Sequence, residues 1–187
     1  MTIFYTGQGD QGKSVIGKNK IVKTAPVLIT LGELDELNSL IGLVRSFINE
    51  QEIKGYLLAA QENLFIIQAN LAALLLAAKT RRRPQLKPPV LKKEKIDELE
   101  RVIDKLEKKI KPAKKFIIPG SNKNSAWLDY LRAVARRVER QIVRLNQRRQ
   151  IDKNILGYVN RLSSFFFALA RYVAKIKKVK EKNPSYQ

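Results

Sequence analysis

From Leu31 onward apolar residues return at every third or fourth position, a spacing that fits helices and leaves little room for any other element. Leu31, Leu34, Leu37, Ile41, Val44 and Ile48 put a single apolar stripe on LGELDELNSLIGLVRSFINE, which a Thr30-x-x-Glu33 capping box is predicted to open. A second helix is predicted over about 53–78. It is apolar around most of its circumference, as the central member of a bundle would be. A third, roughly 92–110, carries Ile96, Leu99, Val102, Ile103 and Leu106 inside a charged surface and is stopped by Pro112. After the loop KFIIPGSNKNS, turned by Pro119-Gly120, two more helices are predicted over about 124–148 and 153–180. Short connections make the expected fold all-α: an antiparallel five-helix bundle, a four-helix core plus an extra helix, behind an N-terminal glycine-rich loop. Such a core accounts for Trp127, Phe165, Phe166 and Phe167 without any ligand.

Composition narrows the chemistry. At 187 residues and 44% apolar the chain is long enough and apolar enough for one domain spanning 1–187. It has no cysteine, which excludes disulfides and thiolate chemistry. It has no histidine, which removes the commonest general base and transition-metal ligand. Carboxylates, Lys, Arg, an oxygen-held metal or a substrate that is already reactive must carry any reaction.

The net charge of +20, from 37 basic and 17 acidic residues, calls for an anionic partner. Much of it sits in a basic linker, 79–95, and a basic tail, 175–187, both expected to be solvated. A helical nucleic-acid-binding protein using these runs is the alternative reading. Against it, the aromatic residues sit at core spacing rather than among the basic runs. Within 57–78, Gln61, Glu62, Asn63, Gln68 and Asn70 leave 71–78 as the longest clean apolar run, short of a membrane span. No signal peptide or lipidation motif is visible, so the chain is expected to be cytoplasmic, with no membrane contact.

Residues 7–14, GQGDQGKS, fit G-x-x-x-x-G-K-[ST] letter for letter. A true P-loop needs a buried strand before it and a helix launched from Lys-Ser. Here MTIFYT precedes it, and the non-helical VIGKNKIVKTAP follows. The expectation is a phosphate cradle outside the P-loop fold, with a genuine P-loop ATPase as a third reading. Further along, Arg132, Arg136 and Arg140 share one helix face a turn apart, with Glu139 beside them. Such a face is either solvated or a grip for polyphosphate, which suits the planar guanidinium fork. Asn160 and Arg161 interrupt an apolar run, and Asp35 and Asn38 lie near the start of the first helix.

In this order these blocks resemble the PduO-type corrinoid adenosyltransferases, from Tyr5 to about Tyr172. YTGQGDQGKS is similar to the family's loop through Tyr5, Thr6, Gly9, Asp10, Gly12 and Ser14, with Lys23 beyond it. LGELDELNSLIG resembles its G-x-x-D-E-L-N-S helix, FIIPG at 116–120 its F-I-L-P-G loop, RAVARRVER its R-x-x-x-R-R-x-E-R helix and YVNRLSSFFFALARY its last helix. Gly7, Ile29 and Ser121 depart from the family's usual Lys or Arg, Glu and Gly.

The resemblance implies that cob(I)alamin attacks C5′ of ATP, expelling triphosphate and giving adenosylcobalamin. The substrate brings its own nucleophile, so the lack of His and Cys is no obstacle. It implies ATP binding by segment 1–29 through Thr6, Gly7, Gln8, Gly9, Asp10, Gly12, Ser14, Val15 and Lys23. Arg136, Arg137, Glu139, Arg140 and Asn160 would complete the site from a neighbouring subunit of a homotrimer, with Mg²⁺ carried on the phosphates. Asp35 and Arg132 would form an ion pair at the subunit boundary, and Phe116 would pack against the lower face of the corrin. Arg136 would neutralise the leaving group. A reductase or an adenosylcobalamin-dependent mutase would be further partners.

Overall fold

Pro26 sets where the first helix begins. In the computed structural model, which describes residues 4–16, 19–77, 87–110 and 115–186, helix α1 runs Pro26–Phe47 with Ala25 as its N-cap. Proline suits a first helical position because its missing amide would have no partner there and its φ is already helical. The predicted capping box is therefore not used. Thr30 is buried inside the helix, and its Oγ1 donates to the Pro26 carbonyl at 2.8 Å.

The remaining helices are α2 Gln51–Ala77, α3 Lys93–Ile110, α4 Lys123–Asn146 and α5 Lys153–Ile176. α5 stops four residues before the predicted end. Lys178 takes a left-handed φ of 54°. The Lys178 amide donates to the Lys175 carbonyl at 2.9 Å and the Val179 amide to Ala174 at 3.0 Å. This is the hydrogen-bond pattern of a Schellman terminus, and it reverses the chain. Of the basic stretch 79–95, residues 79–86 lie outside the described residues, as does Pro112. Leu91 is buried, and Lys93–Lys95 already belong to α3 rather than to a linker.

An antiparallel hairpin, β1 Lys13–Ile16 and β2 Asn19–Val22, precedes the helices and was not expected. Lys13 stands opposite Val22 and Ile16 opposite Asn19. Ser14, Ile16, Asn19 and Ile21 alternate with exposed residues, and Ile16 and Ile21 pack on the core. Asn19 Nδ2 donates to the Leu75 carbonyl at 3.3 Å, fastening the hairpin to the end of α2.

α5 packs against α3 and α4, and α1 against α2 and α4. α2 is long and apolar enough to cross a membrane by length and composition. Here, however, Ile53, Leu57, Leu64, Ile67 and Leu71 are buried in the core. Among them Asn63 Nδ2 donates to the Tyr158 hydroxyl at 3.1 Å, satisfying both buried groups. Phe165 and Phe166 are core residues as expected, each contributing about 2–3 kcal/mol by burial. Phe167 is not: it is 36% exposed. Leu162, Phe166, Leu169 and Val173 define the buried stripe of α5, and Phe167 stands one position out of phase with it.

Candidate active site

The loop 115–122 enters α4 through a double cap. The Ser125 amide donates to Asn122 Oδ1 at 3.0 Å, and the Asn122 amide to Ser125 Oγ at 3.2 Å. Such reciprocal capping fixes the angle at which a loop joins a helix. Ser121 joins it, 2.8 Å from Ser125 Oγ. Gly120 takes φ +103°, which a side chain would strain. Asp129, buried on α4, accepts a hydrogen bond from the Arg171 guanidinium, and the Gly120 backbone favours its charged form. Burial raises the Asp129 carboxyl above its usual range, and Arg171 opposes that shift.

Against this loop lies a pocket of about 600 Å³, lined by Phe116, Pro119, Arg132, Arg136, Ser163 and Phe167 among others. Phe116 is 78% exposed at its rim. A large apolar ring left in water, beside a pocket lined by both apolar and charged side chains, is a contact surface for a ligand with an apolar face. Arg132 and Arg171 both lie over the Phe167 ring, with guanidinium carbons 5.5 and 5.0 Å from its centroid. The ring's negative face holds the two cations beside the pocket. Phe116, Arg132 and Arg136 thus line one pocket with Phe167, Asp129 and Ser163, and Arg171 lies behind it.

Farther along α4 the predicted residues divide. Glu139 accepts a hydrogen bond from Asn160 Nδ2 at 2.6 Å, so Asn160 is an exposed cross-helix contact. Asn160 Oδ1 accepts in turn from Arg161 at 2.6 Å. Arg137 is bound by Glu33 at 2.5 Å and by Glu36, both on α1. The two hydrogen-bonded carboxylates hold its guanidinium pKa above the ordinary value. Arg136 and Arg140 are exposed. Asp35 is exposed on α1 and makes no ion pair with Arg132 within the chain.

The N-terminal segment is a pair of turns followed by the hairpin. The Asp10 amide donates to the Gly7 carbonyl at 3.3 Å, and the Gly12 amide to Gly9 at 3.2 Å. Gly7 and Gly12 both have left-handed φ, +67° and +72°. The Gln8 amide donates to Thr6 Oγ1 at 3.4 Å. The Lys23 amide returns to the Gly12 carbonyl at 2.9 Å, and its Nζ lies so near Gly9 that a β-carbon there would come within 3.1 Å of it. Thr6, Gly7, Gln8, Asp10, Gly12, Val15 and Lys23 are exposed, Gly9 and Ser14 half-buried. Lys13 and Ser14 open a strand, not a helix, which excludes P-loop geometry. Among the described residues no hydrogen bond or ion pair joins the Thr6–Lys23 side chains to Arg136, Glu139, Arg140 or Asn160.

The hairpin instead borders a second pocket with Leu145 and Arg148, near the far end of α4. Leu145 is nine residues beyond Arg136, roughly 13 Å of helix rise.

Residues 4–173 match the family described as cobalamin adenosyltransferase. The chain is 37% identical over 175 residues to a corrinoid adenosyltransferase of Mus musculus, covering 91% of this chain and 72% of that protein. It is 35% identical over 173 residues to a corrinoid adenosyltransferase of Bacillus subtilis, covering 90% and 85%. Its fold is similar to that of a variant PduO-type ATP:corrinoid adenosyltransferase from Lactobacillus reuteri complexed with cobalamin and ATP. The TM-score is 0.87 at 32% identity, covering 97% of this chain and 96% of that one.

Proposed function

This chain belongs to the cobalamin adenosyltransferase family, and we propose that the Phe116 pocket receives the corrinoid while the guanidinium row of α4 takes the triphosphate of ATP. The chain is an ATP:corrinoid adenosyltransferase: it transfers the 5′-deoxyadenosyl group of ATP to the cobalt of cob(I)alamin. The Co(I) electron pair forms the cobalt–carbon bond as the C5′–oxygen bond breaks, and triphosphate leaves with that bond's electrons. Cobalt ends as Co(III). No proton moves to the protein, which agrees with a pocket lacking histidine and cysteine.

The protein's share is alignment and charge neutralisation, the two means by which a site accelerates a displacement that needs no acid or base. Phe116 presents its ring to the lower corrin face, keeping water and an axial ligand away from cobalt. Arg132 is steadied by Phe167 and pairs with Asp35 of a neighbouring chain. Arg136, Arg137, Arg140, Glu139 and Asn160 surround the phosphates from one chain. Thr6, Gly7, Gln8, Gly9, Asp10, Gly12, Ser14, Val15 and Lys23 do so from the next, in a homotrimer. For Arg137 this requires Glu33 and Glu36 to share it. Among the described residues no three acidic side chains cluster, so Mg²⁺ would be held by the triphosphate oxygens rather than by a carboxylate cage. The reaction is cytoplasmic, with a reductase supplying Co(I).

One observation carries this reading: an exposed aromatic ring on a fixed loop, at a pocket that also holds Arg132 and Arg136, neither bound by a carboxylate among the described residues. The test is anaerobic. Cob(I)alamin is mixed with Mg-ATP and the protein, and the loss of its absorbance is followed. Light-sensitive adenosylcobalamin and triphosphate are the expected products. Release of ADP without a corrinoid product would overturn it.

A further inference from the structure

The segment after α5 does not leave the molecule as the free basic tail that its four lysines over 177–182 suggest. The turn at Lys178 sends it back along the Phe116 loop. There the Ile118 amide donates to the Lys182 carbonyl at 2.9 Å, and Asn183 Nδ2 donates to the Phe116 carbonyl at 2.7 Å. Between these contacts and the helix, Glu181 reaches Arg171, with oxygen and nitrogen 2.9 Å apart. Arg171 is 2% exposed and binds Asp129 with its other terminal nitrogen. The Gly120 backbone in turn favours the charged form of Asp129. The loop backbone is therefore held by the tail at residues 116 and 118, and the tail's own glutamate shares Arg171 with Asp129, beside Gly120.

A ring that is 78% exposed has little packing of its own to aim it. Its direction is set by the backbone that carries it, and a loop free to swing would lose that freedom on binding at a cost in affinity. We propose that Glu181 and Asn183 are positioning residues that hold the Phe116 loop in the orientation the corrinoid meets. This rests on the reading that Phe116 faces the corrinoid. It assigns the C-terminal segment a part in corrinoid binding and none in ATP binding. The tail's positive charge does not explain the docking, because the contacts are made by an amide, a backbone carbonyl and the tail's single glutamate rather than by its lysines.

Asn183→Ala is the principal test, since an exposed side chain can be removed without opening the core. Loss of one such hydrogen bond should raise KM for cob(I)alamin about five- to tenfold. KM for ATP and the melting temperature should stay unchanged, and the spectrum of enzyme-bound cob(II)alamin should shift toward that of the free cofactor. Amide exchange at Ile118 should quicken without any corrinoid present, and Asn183→Gln, which keeps a donor, should recover part of each effect. Glu181→Gln should act in the same direction and more strongly, because it leaves Arg171 a single carboxylate. An Asn183→Ala enzyme with wild-type corrinoid KM and wild-type Ile118 exchange overturns the proposal. So does one in which both KM values rise and the melting temperature falls, as a merely structural contact would give. A wild-type protein that makes no adenosylcobalamin overturns the functional reading itself, and this inference with it.

Discussion

Arg136 and Arg137 are neighbours in sequence with opposite circumstances. Arg137 is held by Glu33 and Glu36, whereas Arg136 lines the pocket with no carboxylate bound to it among the described residues. An uncompensated guanidinium is the one available to charge that develops on a leaving triphosphate. Arg136→Ala should therefore lower kcat/KM for adenosyl transfer by about 10²-fold or more. Lys13→Ala should cost only a few-fold (roughly the value of an exposed charge contact), because Lys13 is exposed in β1 and no helix begins there to make it a P-loop lysine. Steady-state rates of the two variants decide it, and equal losses would refute the ranking. Tyr158 makes a second prediction at this scale. Burial above all pushes its hydroxyl up to about 12. In the unfolded chain it ionises near its ordinary value of about 10. The folded form thus keeps a proton that the unfolded form loses. The associated stability is intact below about pH 10 and disappears as pH rises through about 12, by roughly 2–3 kcal/mol. Tyr158→Phe cannot ionise, so its stability deficit relative to wild type should shrink over that window. Urea midpoints at pH 8 and near pH 12 would show this, and a constant deficit would count against it.

At the scale of elements, the end of α5 offers a clean test of backbone strain. Lys178 occupies a left-handed conformation that disfavours a β-carbon by about 1 kcal/mol. Lys178→Gly should raise stability by up to about that amount, since the Schellman bonds are made by backbone alone. A higher urea midpoint with unchanged turnover is expected, and destabilisation would mean that the lysine side chain itself holds the turn. The same terminus shows why the sequence was only partly legible. Apolar periodicity found all five helices, because the spacing that buries a helix face is written locally. The start of α1 was misplaced because Thr30-x-x-Glu33 satisfies the capping pattern, yet Pro26 upstream is a stronger start. The hairpin was missed although Ser14, Ile16, Asn19 and Ile21 alternate, since two four-residue strands give a weak signal. Phe116, Arg132 and Arg136 were readable from family blocks. Asp129, Arg171 and Glu181 were not, because a buried ion pair between α4, α5 and the tail depends on tertiary contact. Arg171 alone gave a hint, as an arginine inside the apolar run ALARYVA that needs a buried partner.

For the whole molecule, the arrangement of one chain makes assembly testable by chemistry. The N-terminal turns and Lys23 lie with the hairpin, which borders the far end of α4, while Arg136 and the Glu139–Asn160 contact lie farther back along that helix. No bond within the chain joins the two sets among the described residues. If one chain supplies the turns and its neighbour the helix face, two variants inactive for different reasons should rescue each other. Chains carrying Lys23→Ala keep a sound helix face, and chains carrying Arg136→Ala keep sound turns. Random mixing of the two in a closed ring leaves about a quarter of the sites with both halves intact. Co-expression of the two variants should then restore about a quarter of wild-type turnover, while each alone stays near background. A site built within a single chain cannot be rescued in this way, because every chain in the mixture carries one defect. Background activity in the mixed assembly, with mixing verified by differently tagged chains, would therefore place both halves of the ATP site in one chain. It would also remove the reason for expecting the reaction to need a trimer.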